Sequence, residues 1–191
     1  MNNLAYKKKT DLDLKEYVNY ESNKNLVIEK NLSYNVANYS KNLAIEIGLN
    51  DNHTNIVYTC GLLHDLGKTM IPKAILYKDG PLNNSEWDIM RTHTITGYML
   101  LKNSIHKKAS MTALTHHEKW DGSGYPLGLK KHDIPLESRI ISIVDVFDAL
   151  ISKRVYKDAW ELNRTIEYMV NGKEKHFDPE ILNVFLTKIV N

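Results

Sequence analysis

The sequence predicts an all-α protein, a single-domain helical bundle of about seven to nine helices. Three observations carry this expectation. Apolar residues recur at three- and four-residue spacing in segment after segment. No segment sustains the two-residue alternation of a half-buried strand. Residues that start or stop helices, among them Gly48, Asn50, Asp51, Gly67, Pro72, Gly80-Pro81 and Pro135, punctuate the periodic segments.

Taken in order, residues 1–24 are polar and rich in Lys, Asn and Tyr. They read as an N-terminal extension too short to own a core, with the domain spanning residues 25–191. From Leu26 to Ile47 the residues Ile28, Leu32, Val36, Tyr39, Leu43 and Ile47 mark one helix face, and Gly48 stops it. Asn50 or Asp51 caps the next helix, which carries Ile56, Val57, Cys60, Leu63 and Leu66 and is expected to end at Gly67. Pro72 suits the first turn of a short helix through Tyr77, and Asp79-Gly80-Pro81 is a turn. Ser85 and Glu86 open a helix expected to bend near His93 to Thr96 before running on to Leu101. Further helices are expected at Lys107 to His117, Leu136 to Ser152, Asn163 to Val170 and Pro179 to Ile189.

Composition narrows the functional classes. With 42% hydrophobic and 25% charged residues the chain is ordinary for a soluble globular protein. A net charge of +2 is too small to imply a nucleic-acid partner; Lys107-Lys108 and Lys130-Lys131 read first as solvated surface and second as groups able to steer an anionic substrate. Cys60 stands alone, which excludes an internal disulfide. The N-terminus lacks the apolar core of a secretory signal. The longest apolar run, Ile140 to Ile151, is interrupted by Asp145 and Asp148, so no membrane span is expected and the location reads as cytoplasmic.

The residues that carry chemistry are histidines and carboxylates. His64-Asp65 falls near a helix end just before Gly67-Lys68, a natural place for two metals bridged by a carboxylate. His93 follows a patterned segment. His116-His117 ends a helix and is followed at once by a glycine-rich turn closing on Tyr125-Pro126. Asp145 and Asp148 lie three apart on an apolar helix, where a carboxylate is costly unless paired or metal-bound. Imidazole and carboxylate without thiolate suit Fe, Mn, Co or Ni in a multinuclear hydrolytic site better than structural zinc. Lys68 and Arg154 supply cations suited to phosphate.

These residues fall into a known pattern. His64-Asp65-Leu66-Gly67-Lys68 resembles the HD signature of metal-dependent phosphohydrolases. The run His116-His117-Glu118-Lys119-Trp120-Asp121-Gly122-Ser123-Gly124-Tyr125-Pro126 resembles the extended signature of the HD-GYP subgroup. Ile71-Pro72, Gly80-Pro81-Leu82, Trp87, Ile134-Pro135, Arg139, Asp145 to Leu150 and His176 to Glu180 follow in that family's order, so the similarity covers roughly Leu26 to Leu186.

The resemblance implies an HD-type helical bundle and a bacterial signalling enzyme that opens cyclic di-GMP to the linear dinucleotide pGpG and, in some members, on to GMP. Carried over by position, His64, Asp65, His93, His116, His117 and Asp145 match the metal ligands, with Asp65 bridging. Lys68 and Arg154 match phosphate contacts. Tyr125, with Gly122 and Gly124, belongs to the substrate loop, which also offers a surface to a protein partner. Asp148 is a supporting acid. The implied cofactors are two divalent ions, or three, of iron or manganese.

One departure stands out. The family usually places a histidine ligand on the first core helix in a His-Ser-x-Arg-Val pattern, where this chain has Leu32-Ser33-Tyr34-Asn35-Val36. His53 cannot replace it: it precedes His64 by eleven residues on one helix, about 16 Å at 1.5 Å per residue. Glu29, one turn before Leu32, is the nearest oxygen donor on that helix. The alternative to an active enzyme is therefore a weak or inactive module that binds a cyclic dinucleotide or a partner protein.

Overall fold

The computed structural model describes residues 26–104, 106–152 and 158–190, with side chains from residue 33 onward. The N-terminal extension, the side chains of Glu29 and Leu32, and Arg154 lie outside the described residues. A compact unit begins at Ser33 and contains every side chain considered below. Among the described residues there are eight α-helices and no named strand.

Helix α1 spans Leu26–Glu46 and ends at Gly48, whose φ of 83° suits a residue without a side chain. Helix α2 spans Asp51–Leu63, its first turn capped by the Asn50 side chain, which accepts from the His53 N–H at 2.9 Å. A 3₁₀ turn at Leu66–Met70 leads to the short α3, Lys73–Leu76. Helix α4, Asn84–Leu101, begins in a capping box: the Asn83 side chain accepts from the Glu86 N–H while the Glu86 carboxylate accepts from the Asn83 N–H. Then come α5 at Lys107–Thr115, a 3₁₀ turn at Lys131–Asp133, α6 at Leu136–Ile151, α7 at Leu162–Asn171 and α8 at Pro179–Lys188.

Helix α6 is the buried centre. Ile140, Ile141, Ile143 and Val144 have no measurable exposure, and Phe147 sits edge-on against both Tyr39 of α1 and Phe185 of α8. Each such side chain contributes about 1.5–3 kcal/mol by leaving water. Helices α2, α5, α7 and α8 pack on α6, and α4 packs on α5 and on the 3₁₀ turn after α2. Two ion clusters, each built on a buried carboxylate, tie these helices together. Glu137 of α6 accepts from His53 of α2 at 2.6 Å and from Lys108 of α5. The Arg139 guanidinium donates to Asp178 at 2.7 Å and to the Ile134 carbonyl at 3.0 Å, and Asp178 in turn caps α8.

Helix α4 is continuous through His93 to Thr96, where the Thr94 hydroxyl donates back to the Arg91 carbonyl within the helix. One expectation needs correction. Helix α2 stops at Leu63, earlier than expected, and Gly67 is not its terminator. Gly67 lies inside the 3₁₀ turn, where a Cβ would stand 1.9 Å from the His93 carbonyl oxygen and 2.6 Å from the Gly97 nitrogen. The residue is small because the turn lies directly on the α4 backbone. Gly67→Ala is therefore expected to destabilise the fold by about 3 kcal/mol or more in chemical denaturation. Gly97→Ala, whose Cβ would come no nearer than 3.2 Å to another atom, is expected to cost much less.

Candidate metal centre

The centre is assembled from the ends of four elements. Helix α2 delivers His64 as its C-cap, and Asp65 follows with φ −98° and ψ 10°, already outside the helix. Sequence reasoning placed both residues on one helix. The early helix end instead turns the Asp65 carboxylate inward. Helix α4 contributes His93, the end of α5 contributes His116 and His117, and α6 contributes Asp145.

Three of the imidazoles are oriented by backbone. Nδ1–H of His64 donates to the Gly61 carbonyl at 2.7 Å, that of His93 to the Met90 carbonyl at 2.7 Å, and that of His116 to the Thr112 and Ala113 carbonyls, both at 3.1 Å. Each bond is made one turn back along the residue's own helix. It fixes the tautomer and aims Nε2 at the centre, as the outer partners of metal-binding histidines do. His117 completes the ring cluster, its centroid 4.0 Å from His116 and 5.1 Å from His93.

Asp65 joins two donor sets. Its Oδ1 lies 3.4 Å from His93 Nε2 and 3.6 Å from His116 Nε2, while its Oδ2 lies 3.4 Å from His64 Nε2 and accepts from the Lys68 ammonium. Asp145 Oδ1 lies 3.7 Å from His64 Nε2. Ligating atoms of Asp65, His93, His116 and His117 fall within 4.8 Å of one another, and so do those of His64, Asp65 and Asp145. His64 Nε2 and Asp65 Oδ1 are buried without a hydrogen-bond partner. Such orphaned atoms are costly, and a divalent cation would satisfy both. The donor set fits a metal centre.

The electrostatics agree. Burial works against a charged His64, but the neighbouring Asp65 and Asp145 carboxylates outweigh it and hold its pKa up at about 10. Burial lowers His93 to about 4, and burial together with the His116 charge holds His117 well below its ordinary value. Burial alone would raise Asp65 and Asp145; the Lys68 and His64 cations keep Asp65 ionised, and His64 does the same for Asp145.

The remaining predicted residues surround this cluster. Tyr125 is half-buried, its ring 5.0 Å from His117. Gly124 presses on the backbone of the preceding turn, where a Cβ would stand 2.4 Å from the Lys119 nitrogen, and Gly122 takes a positive φ of 84° beside Lys130. Asp148 is 2% exposed on α6, one turn past Asp145, with the Ser152 hydroxyl at 3.4 Å; it belongs to neither donor set. Lys68, expected at phosphate, holds Asp65. His53, discounted as a ligand, is engaged with Glu137.

Sequence reasoning missed Glu118. It is 2% exposed, and its carboxylate accepts from the N–H groups of Leu127 and Leu129 at 2.6 and 3.1 Å, tethering the glycine loop to the histidine pair. A carboxylate directly after two ligands and before a turn was its only signal.

Because His64 without a metal holds a proton near pH 7 and imidazole must be neutral to ligate, metal uptake at pH 7 is expected to release about one proton. Apparent affinity then rises with pH towards about 10. Titration calorimetry in buffers of different ionisation enthalpy measures this directly. A heat independent of buffer would contradict it.

Comparison with known proteins adds lineage. A family model described as HD domain matches residues 16–181. The 3'3'-cGAMP-specific phosphodiesterase 2 of Vibrio cholerae is 43% identical over 154 residues, covering 79% of this chain and 30% of the relative. A cyclic di-GMP phosphodiesterase response regulator of Xanthomonas campestris is 40% identical, covering 75% of this chain and 39% of the relative. The chain thus spans between 30% and 39% of these curated relatives' length. Among solved structures, the HDG"Y"P protein of Bdellovibrio bacteriovorus aligns with a TM-score of 0.66 at 21% identity, covering 81% of this chain and 50% of that one. The Listeria monocytogenes PgpH HD domain aligns at 0.59 and 20% identity, covering 84% and 89%; both likenesses concern the fold. With an all-helical bundle, a histidine–aspartate centre and the HD-GYP signature in one chain, the protein belongs to the HD domain family.

Proposed function

We propose that this chain is a metal-dependent phosphodiesterase that opens cyclic di-GMP to the linear dinucleotide pGpG. The observation that carries the reading is Asp65, whose two oxygens face two separate donor sets. Two donor sets that meet on one carboxylate suit a pair of divalent cations. His64, Asp65 and Asp145 would hold one ion, and Asp65, His93, His116 and His117 the other. Nitrogen and oxygen donors without sulfur favour iron or manganese. A third ion would lack the histidine of the family's first-helix pattern, since this chain has Leu32 at that position. Relatives named for cyclic di-GMP and for 3'3'-cGAMP support a cyclic dinucleotide substrate, with the hybrid dinucleotide as the second candidate. A cytoplasmic location goes with that substrate.

Ions bound there would supply Lewis acidity at a phosphoryl oxygen and lower the pKa of water in the site. The chain's own groups do the rest. The three Nδ1–H bonds to backbone carbonyls keep the imidazole lone pairs converging. The Lys68 cation holds Asp65 ionised and, with Arg154, offsets negative charge developing on the phosphoryl oxygens. Asp148 buttresses the centre from inside α6. Tyr125 forms a wall of the pocket beside His117, and Gly122 and Gly124 shape the loop that carries it.

The replacement of the first-helix histidine by Leu32 favours one second reading, a silent module that binds the nucleotide or presents the glycine loop to a protein. Protein purified anaerobically and reconstituted with iron, and separately with manganese, is expected to linearise cyclic di-GMP. Intact substrate after long incubation with both metals would overturn the enzymatic reading. Calorimetric binding without turnover, with turnover gained in Leu32→His, would mark the silent module. Asp65→Ala is expected to lose metal and to lower activity by more than roughly 100-fold, since even outer-shell changes cost 10- to 100-fold. Stoichiometric metal in that variant by elemental analysis would contradict the bridging role.

A further inference from the structure

A cyclic dinucleotide carries two phosphodiester groups, and a centre of this size reacts with one at a time. The other enters with its charge and needs a cation of its own. Lys68 is committed to Asp65. Arg91 is not committed to a carboxylate. It lies on α4, two residues before His93, and is exposed to solvent. Its guanidinium rests over the Tyr125 ring, 5.3 Å from the centroid, and makes no hydrogen bond or ion pair among the described residues.

That contact is informative. Stacking on an aromatic face orients a guanidinium plane while using none of its five N–H donors. The platform itself is held firmly. The Tyr125 N–H donates to the His117 carbonyl at 3.3 Å, its ring lies 5.0 Å from the His117 imidazole, and Gly124 beside it is pressed on the Glu118–Lys119 backbone. An arginine fork with unused donors therefore stands one ring away from the metal cluster. Guanidinium matches two oxygens of a phosphate at once, which an ammonium does not.

We propose that Arg91 takes the second, non-reacting phosphate of the dinucleotide and so makes the pocket selective for substrates with two phosphodiesters. The proposal rests on the phosphodiesterase reading above. It also gives Tyr125 a double duty, as pocket wall and as the support that keeps Arg91 turned towards the pocket.

The test compares cyclic di-GMP with bis(4-nitrophenyl) phosphate, a reporter with one phosphodiester, on manganese-loaded full-length protein. In Arg91→Ala the KM for cyclic di-GMP is expected to rise about 10- to 100-fold, the usual range for losing a charge-assisted hydrogen-bonded contact. The change in kcat is expected to be small, the loss on the reporter at least tenfold less, and the manganese content equal to wild type. Arg91→Lys is expected to recover part of the loss through charge alone. Equal losses on both substrates, or a fall confined to kcat, would overturn the assignment, as would no loss on cyclic di-GMP in a variant whose parent hydrolyses it. A wild-type protein that cleaves the reporter but no cyclic dinucleotide would overturn this assignment and the substrate reading together.

Discussion

Everything at the centre depends on one carboxylate shared between two groups of donors. Asp65 sits where its charge has left bulk water, and a buried carboxylate survives only with compensating cations or donors. Oδ1 faces His93 and His116, and Oδ2 faces His64 and Lys68. Its position requires α2 to stop at Leu63, so that the next residues leave the helix and Asp65 turns inward. It also requires α4 and α5 to bring their histidines to the same point, and the glycine contact between the 3₁₀ turn and α4 makes that approach close enough.

Much of this was legible in the chain. The apolar periodicity gave eight segments close to the observed helices, because burial against α6 rewards the same spacing that a helix imposes. The six donor residues were legible chiefly through the resemblance of their motifs to the HD and HD-GYP signatures; by cost of burial alone only the Asp145 and Asp148 pair on its apolar helix stood out. What escaped was set by tertiary contact. Gly67 looked like a helix stop because a glycine after a periodic run usually is one, whereas its place is fixed by the carbonyl of His93. Gly97, inside a helix that runs without interruption, faces Gly67 across the same contact. Glu118 was invisible because nothing local shows that Leu127 and Leu129 will turn their N–H groups towards it.

The two ion clusters away from the centre serve a different purpose. Glu137 with His53 and Lys108 ties α2, α5 and α6 at one end, and Arg139 with Asp178 ties α6 to α8 while stacking near Trp120. Trp120 begins the glycine loop and donates its N–H to the His176 carbonyl, and the Asp121 N–H donates to Lys175. The glycine loop is thereby moored at its start to the turn before α8 and along its length to Glu118. A loop fixed at both places can present Tyr125 at a constant height over His117.

The glycine packed against His93 also bears on how relatives of this protein should be interpreted. Its requirement is purely steric and survives any change in chemistry. A descendant that had shed its metals would still need the gap at Gly67, since filling it would unseat α4 from the turn. The glycine of the HD signature therefore reports architecture, whereas the histidine and aspartate before it report reactivity. Judging an unfamiliar homologue as an enzyme from the whole motif conflates two kinds of evidence that this fold keeps on separate residues.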